Sequence, residues 1–537
     1  MVQHSCLTAA VVTGTYAAVS EAVDALKATE PSRTTETARR AGRGVLLISG
    51  SKIYFLIAGY AGQLLLPRLF ASPEVFGLFS AAMSSVSILN NIIVGATVQV
   101  VSKRVSEAVD RSESTLRQAL AVQLWLGLGL AAAMFASAPW LAHNLLRDPL
   151  LTPLFQLAAA VVLGYSLYTA FVGTLNGRQD FRTQAGFDIG YTTLRTGSML
   201  TAAALGYGAV GAFAGFATAS WLIVIASAVV LGLGKREGPV PYRAWISFMA
   251  PLWLYQSCVQ VIMQADLALL KRSVAVILQA DGASITAAAE TASRYVAFYR
   301  AAQTFAFVPY QLLLPVPLVM FPMISQAISQ GDEAGATRYV RTAMRFSLLL
   351  LLLVAAPVAG AARGVMGLVF PAAYTEGAPA LAVLVFAMVG FALFVGAATI
   401  MTGAGRPGLA ASIGSVAVVF LVSGNLGFVH YVGVGEHTLL AAALGTSLGI
   451  VVALSAMAFA VYKRFHTFVS PLSVARALLA TLAAYFVANA IGEAGKLQTI
   501  VAGILGALSY VITLLVTREV TRDDLTALLS IARRKRK

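Results

Sequence analysis

Residues Pro379–Thr402 read PALAVLVFAMVGFALFVGAATIMT, an uncharged run with no alternation of apolar and polar positions. A helix that crosses a bilayer needs ~20 consecutive, mainly apolar residues. The run is long enough, and its continuity excludes a barrel strand, whose apolar residues alternate. Comparable spans fall at about 45–66, 77–101, 118–140, 152–175, 184–206 and 209–233. A basic break at Lys235, Arg236, Pro239, Pro241 and Arg243 follows. The series resumes at about 245–270, 292–325, 344–363, 379–402, 408–430 and 437–461, and closes at 472–491 and 497–517. Six, six and two spans predict an all-α integral membrane protein with about 14 transmembrane helices.

Composition points the same way. Of 537 residues, 58% are hydrophobic and 11% charged, with a mean hydropathy of +0.79. Soluble chains carry roughly 25% charged residues, so a soluble enzyme on a single anchor is excluded. The net charge of +15 sits in loops and tails, which marks topology and not a nucleic-acid partner. With both ends inside, 28 Lys and Arg face the cytoplasm, seven face outward and three lie within spans. That bias predicts a multi-pass protein with both ends on the cytoplasmic side, N-in and C-in.

The expected organisation is a cytoplasmic tail at 1–42, an N-lobe at 43–234, a linker at 235–243, a C-lobe at 244–465, two further helices within 466–517 and a basic tail at 518–537. Met1 to Ser20 has no basic start, which argues against a signal peptide, and Tyr16, Val19, Val23 and Leu26 fit one side of an amphipathic helix. Cys6 and Cys258 make neither a disulfide framework nor a metal cluster. Spans four and ten end on Thr174-Leu175-Asn176-Gly177-Arg178 and Thr402-Gly403-Ala404-Gly405-Arg406, an offset of 228 residues shared by Gly186 and Gly414. Either two parallel six-helix repeats, a transporter architecture, or common helix stops with inside charge produce this pattern.

The chain also resembles a family. Pro67-Arg68-Leu69-Phe70 with Pro73-Glu74-Val75-Phe76-Gly77-Leu78-Phe79 resembles the "lpr-llgpeeyGlfs" signature of polysaccharide-type flippases. These belong to the multidrug/oligosaccharidyl-lipid/polysaccharide (MOP) superfamily. Leu175–Arg182 is similar to its "lnGlqrfr", and Asp266 to the acid of its "D-r-l-l-l" run. Tyr299-Arg300-Ala301-Ala302 with Phe321-Pro322-Met323-Ile324-Ser325 looks like "Y-s-a-a…fP-x-i-s". Phe370–Tyr374 and Gly403–Pro407 complete the series, over roughly residues 43–465. The departure is Lys271-Arg272 followed by a polar insert through Gly282. The resemblance implies a MATE-like, two-lobed, alternating-access flippase. It implies that polyprenyl-diphosphate-linked oligosaccharide moves from inner to outer leaflet of the bacterial cytoplasmic (inner) membrane, with membrane lipids and polysaccharide assembly proteins as partners.

Charges inside spans cost ~2.5–3.5 kcal/mol on insertion scales and face a cavity or a partner. Lys52, Arg195 and Arg300 are the candidates for attracting the implied diphosphate, because guanidinium and ammonium groups suit phosphate oxygens. The alternatives are snorkelling for Lys52, pairing of Arg195 with Asp188, and an interface anchor for Arg300. Asp188 and Asp266 are candidates for ion coupling, since burial raises a carboxylate's pKa; alternatively Asp266 pairs with Lys271 and Arg272. Asn90, Asn91, Tyr299 and Gln303 offer donors and acceptors to sugar hydroxyls, as Gln63 and Gln99 do, or else bond other helices. Pro309, Pro315, Pro317 and Pro322 should kink span eight as a gate requires.

No P-loop, HExxH or nucleophile elbow occurs, so neither an enzyme nor a cofactor or metal is expected. Two rivals stand beside the flippase. One is an ion-coupled multidrug or cation exporter of the same fold, and the other is a non-transporting scaffold for surface-polymer synthesis that recruits through its tails.

Overall fold

The computed structural model describes residues 31–313, 324–328, 330–406, 408–491 and 495–520. The amphipathic reading of Tyr16–Leu26, the prolines Pro315, Pro317 and Pro322, and the basic stretch beyond Val520 lie outside them. Among the described residues the fold is all-α. The chain opens with α1 (Pro31–Leu69), α2 (Pro73–Glu107), α3 (Ser112–Trp140), α4 (Leu151–Gly177), α5 (Phe181–Ala204), α6 (Gly208–Leu231), α7 (Tyr242–Ala280) and α8 (Ile285–Ala306). It continues with α9 (Val308–Leu313), α10 (Glu333–Gly360), α11 (Ala362–Val369), α12 (Ala378–Gly403), α13 (Gly408–Val432), α14 (Thr438–Phe465), α15 (Pro471–Ile491) and α16 (Lys496–Val516).

Ten of these, α2, α3, α4, α6, α10 and α12 to α16, are long and apolar enough to cross a membrane. The protein is a multi-pass membrane protein. Its outer faces carry what a bilayer requires and water would punish: Val229 on α6, Phe486 on α15 and Leu497 on α16 are more than half exposed. Helices α1, α5, α7 and α8 are also long enough to cross but lie outside that set. They carry Lys52, Asp188, Arg195, Asp266, Tyr299 and Arg300.

The chain divides into two compact units. In the first, which comprises residues up to Arg300 and Gly414–Gly445, α1 packs on α5, α5 and α4 on α6, α3 on α4, and α2 on α4 and α7. Close approach depends on two glycines. A methyl group on Gly77 would lie 1.7 Å from the Ser293 carbonyl oxygen, so α2 meets α8 only through a bare backbone. On Gly177 it would lie 2.7 Å from the Ser102 carbonyl oxygen, between α4 and α2. Local chemistry sets the boundaries. Pro73 opens α2 where a missing N–H costs nothing, and the Asp180 carboxylate caps α5 by accepting from the Thr183 amide.

In the second unit, α10 packs on α12, α15 and α16, and α15 on α16. Asp332 caps α10 by accepting from the Gly335 amide at 2.7 Å. Just past α16, buried Glu519 accepts from Arg345 at 2.7 Å and from Arg476 at 3.2 Å, tying the chain after α16 to α10 and α15. Arg345 also reaches the Glu519 carbonyl oxygen. Burial alone would raise the pKa of Glu519, but hydrogen bonds from Ser473, Arg345 and Arg476 and the charge of Arg345 hold it below the usual carboxylate range.

One boundary differs from the sequence reading. Span seven was expected to end near residue 270 with an outer polar segment at 271–291, yet α7 runs unbroken to Ala280. Lys271 does not end the helix because its charge is neutralised inside the protein, as described next.

Candidate functional site

In the first unit, α1 and α5 face each other through charge. Lys52 donates to Asp188 at 2.6 Å, and the two side chains are 11% and 7% exposed. This decides between the alternatives for both residues: Lys52 does not snorkel to the surface, and the partner of Asp188 is Lys52 instead of Arg195. Helical periodicity puts Asp188 and Arg195, seven apart, on one face of α5. Arg195 lies about two turns further along, buried, with its guanidinium 4.9 Å from the Phe55 ring centroid and 5.9 Å from those of Tyr191 and Phe216. Ring faces attract such a cation electrostatically and fix its place.

A cavity opens beside the Lys52–Asp188 pair, walled by Phe55, Val94, Val98, Tyr165, Tyr168 and Tyr191. The three tyrosines pack edge-on or tilted, with Tyr165 and Tyr168 each within 5.6 Å of Tyr191. The Tyr168 hydroxyl is buried with no hydrogen-bond partner. A second hollow, lined by Gly59, Gly62, Gln63, Arg195, Thr196 and Met199, continues along the same face of α1. Glycines at 59 and 62 are bare backbone there, and Gln63 ends the row.

Gln63 leads to the second charged group. It accepts from Arg300 Nε at 3.3 Å. Arg300 is buried on α8 and feels the charge of Asp266 on α7. Tyr299 donates to Asp266 at 3.2 Å. Close by, Asn91 on α2 donates to Gln260 on α7 at 2.8 Å, while the Asn90 carbonyl oxygen is buried without a partner. The structure thus brings Lys52 to Asp188 and groups Asp266, Tyr299 and Arg300, with α1 supplying a residue to each group. Gln303 is buried in the second unit. Pro309 sits where span eight breaks: α8 stops at Ala306 and α9 starts at Val308, because proline has no N–H to continue the ladder.

Pairing of Asp266 with Lys271 and Arg272 does not occur. Lys271, with no solvent exposure, donates to Asp148 at 2.7 Å and to the Ser293 hydroxyl at 2.6 Å. Arg272 donates to the carbonyl oxygens of Asn144 and Leu145. These belong to the π-helical turn Leu141–Leu145 that follows α3, whose irregular backbone leaves carbonyls available. Asp148 was missed from sequence. Its signal is the Asp-Pro start of a turn, which says nothing of a lysine so far along the chain. The tyrosine wall was missed too, because aromatic residues on an apolar helix read as packing.

Among known proteins, a family model described as "Polysaccharide biosynthesis protein" matches residues 41–328. No curated protein matches the chain. Its fold is similar to that of the lipid II flippase MurJ in an inward closed conformation, at 14% identity and a TM-score of 0.71, over 88% of this chain and 99% of that one. It is similar also to an inward-facing multidrug resistance MATE family transporter of the MOP superfamily, at 17% identity and a TM-score of 0.58, over 77% and 96%. A MOP superfamily transporter from Pyrococcus furiosus Vc1 (DSM3638), described as having a binding pocket of reverse polarity, matches at 16% identity and a TM-score of 0.55, over 79% and 95%. At these identities the likeness is one of fold.

Proposed function

The chain belongs to the polysaccharide biosynthesis protein family and has a MOP-type fold, and from that premise we propose that it flips polyprenyl-diphosphate-linked oligosaccharide from the inner to the outer leaflet. The observation that carries this reading is the set of enclosed cations on membrane-length helices, with Arg195 and Arg300 buried and Lys52 only 11% exposed. A diphosphate is the part of such a substrate least able to enter hydrocarbon, and buried guanidinium groups give it directed, charge-assisted bonds. Lys52 is held by Asp188, so on binding substrate it exchanges one anion for another without ever standing bare. Amides and phenols at Asn90, Asn91, Tyr299 and Gln303 serve the sugar, and Asp266 is the candidate for ion coupling.

The lobes at 43–234 and 244–465 alternate between inward and outward openings while the polyprenyl tail stays in the bilayer, with the break at Pro309 as a hinge. The basic bias of the loops supports an N-in, C-in orientation, and membership of a polysaccharide biosynthesis family supports placement in the bacterial inner membrane. A cation exporter would need unneutralised acids in the cavity, whereas Asp188 is already occupied by Lys52. The test is precursor accumulation in cells carrying Lys52→Ala, Arg195→Ala or Arg300→Ala, each normalised to protein level. Build-up of inward-facing lipid-linked glycan at normal expression supports the reading. Normal surface glycan in all three, or failure of purified protein in liposomes to translocate lipid-linked oligosaccharide, overturns it.

A further inference from the structure

Away from the buried charges, a cleft opens where α2 ends and α3 and α7 begin. Its lining is Lys103, Arg104, Glu107, Thr115, Gln118 and Phe248. The Lys103 ammonium stands 4.6 Å above the Phe248 ring, and the Arg104 guanidinium 4.2 Å above the buried ring of Trp245. Both cations are thus placed by aromatic faces. Lys103 is 3.8 Å from Glu107, a long, exposed pair that holds neither charge strongly. Beside the cleft α7 exposes Tyr242, Ile246 and Phe248, an apolar and aromatic flank. Under the orientation proposed above, this is the cytoplasmic leaflet.

Two cations, then a carboxylate with a hydroxyl and an amide, then an aromatic flank, match one amphiphile in order: a phosphate diester, a headgroup bearing hydroxyls, and acyl chains. We propose that this cleft seats an anionic phospholipid of the phosphatidylglycerol class. Its phosphate lies between Lys103 and Arg104, its glycerol hydroxyls meet Glu107, Thr115 and Gln118, and its chains run along α7. Basic pockets between membrane helices at the cytoplasmic face are suited to anionic headgroups. Glu107 adds selectivity, because it repels a headgroup that offers only phosphate oxygens and accepts from one that offers hydroxyls.

The full chain is reconstituted into vesicles of equal parts phosphatidylcholine and phosphatidylglycerol, extracted gently, and its retained lipid weighed by native mass spectrometry. The wild type retains phosphatidylglycerol over phosphatidylcholine, and retention falls with added salt. Lys103→Gln and Arg104→Gln each lower it about fivefold. Glu107→Gln narrows the preference for phosphatidylglycerol over phosphatidic acid in matched vesicles. Should Arg104→Gln fail to fold for want of its contact with Trp245, the exposed Lys103 and the salt series carry the test. Equal retention of both lipids by the wild type, or unchanged retention in Lys103→Gln, overturns the proposal. So does displacement of phosphatidylglycerol by polyprenyl phosphate doped into the vesicles, which would make the cleft part of the substrate's route while leaving flipping itself intact.

Discussion

Lys271 and Asp148 form a buried ion pair, their side chains 0% and 2% exposed, closed over 123 residues of sequence by a 2.7 Å hydrogen bond. Every strong valence is used: Asp148 accepts the Leu150 amide on its other oxygen, and Lys271 also reaches Ser293. Removing one partner of a buried pair costs about 3–5 kcal/mol, because the other charge is stranded. Lys271→Met should therefore lower the unfolding temperature sharply in detergent, and Asp148→Leu likewise. The double variant should recover most of the loss, since an apolar replacement of a whole pair is often neutral. A double-mutant cycle with purely additive losses would show that the pair contributes nothing.

Gly77 makes a sharper steric demand. Gly77→Ala drives a methyl into the Ser293 carbonyl, which is backbone and cannot rotate away. A loss of ~1–3 kcal/mol or more follows from such overpacking. Gly186→Ala on α5 is the control, for nothing lies within 4 Å of its new carbon, and alanine is favoured over glycine in a helix by ~1 kcal/mol. Thermal unfolding of the two variants should move in opposite directions.

Lys52 and Asp188 should behave as a unit. Lys52→Met leaves a buried carboxylate and Asp188→Asn a buried ammonium, so each alone lowers both yield and flux. The exchanged pair, Lys52→Asp with Asp188→Lys, restores stability but moves the cation to α5. Flux in that variant distinguishes the two roles: a diphosphate ligand needs the cation on α1, a mere structural pair does not. Surface glycan per folded molecule is the readout.

Glu519 gives a pH prediction. Its folded pKa is depressed, so its contribution is complete above the unfolded carboxylate value of about 4.3 and is lost as pH falls through the lower folded value. Acidification across that window should loosen the attachment of α15 and α16 to α10, read as faster proteolysis near Arg518. Glu519→Gln should show that sensitivity at neutral pH and lose its dependence on acid.

Much of this was legible in the sequence. The helical membrane class follows from runs such as Pro379–Thr402, and the embedded charges were found because a charge amid apolar residues is conspicuous. Partner choice was not legible. Asp188 had Arg195 two turns away on its own helix and Lys52 on another, and only packing of α1 against α5 decides between them. Lys271 looked like a loop residue because hydropathy cannot see that Asp148 waits to neutralise it. Gly77 was quoted as part of a signature, yet its reason, a backbone contact with Ser293, belongs to three dimensions.

The pairing of Lys52 with Asp188 also sets a timetable for synthesis. The acid is made 136 residues after the lysine, and at ~5–20 residues per second that delay is on the order of ten seconds. During it α1 carries a cation whose partner is not yet made. Until then its ammonium can reach for water along a flexible stem. A residue almost enclosed in the finished protein thus begins as one that seeks water, and α1 completes its pairing only once α5 has been made.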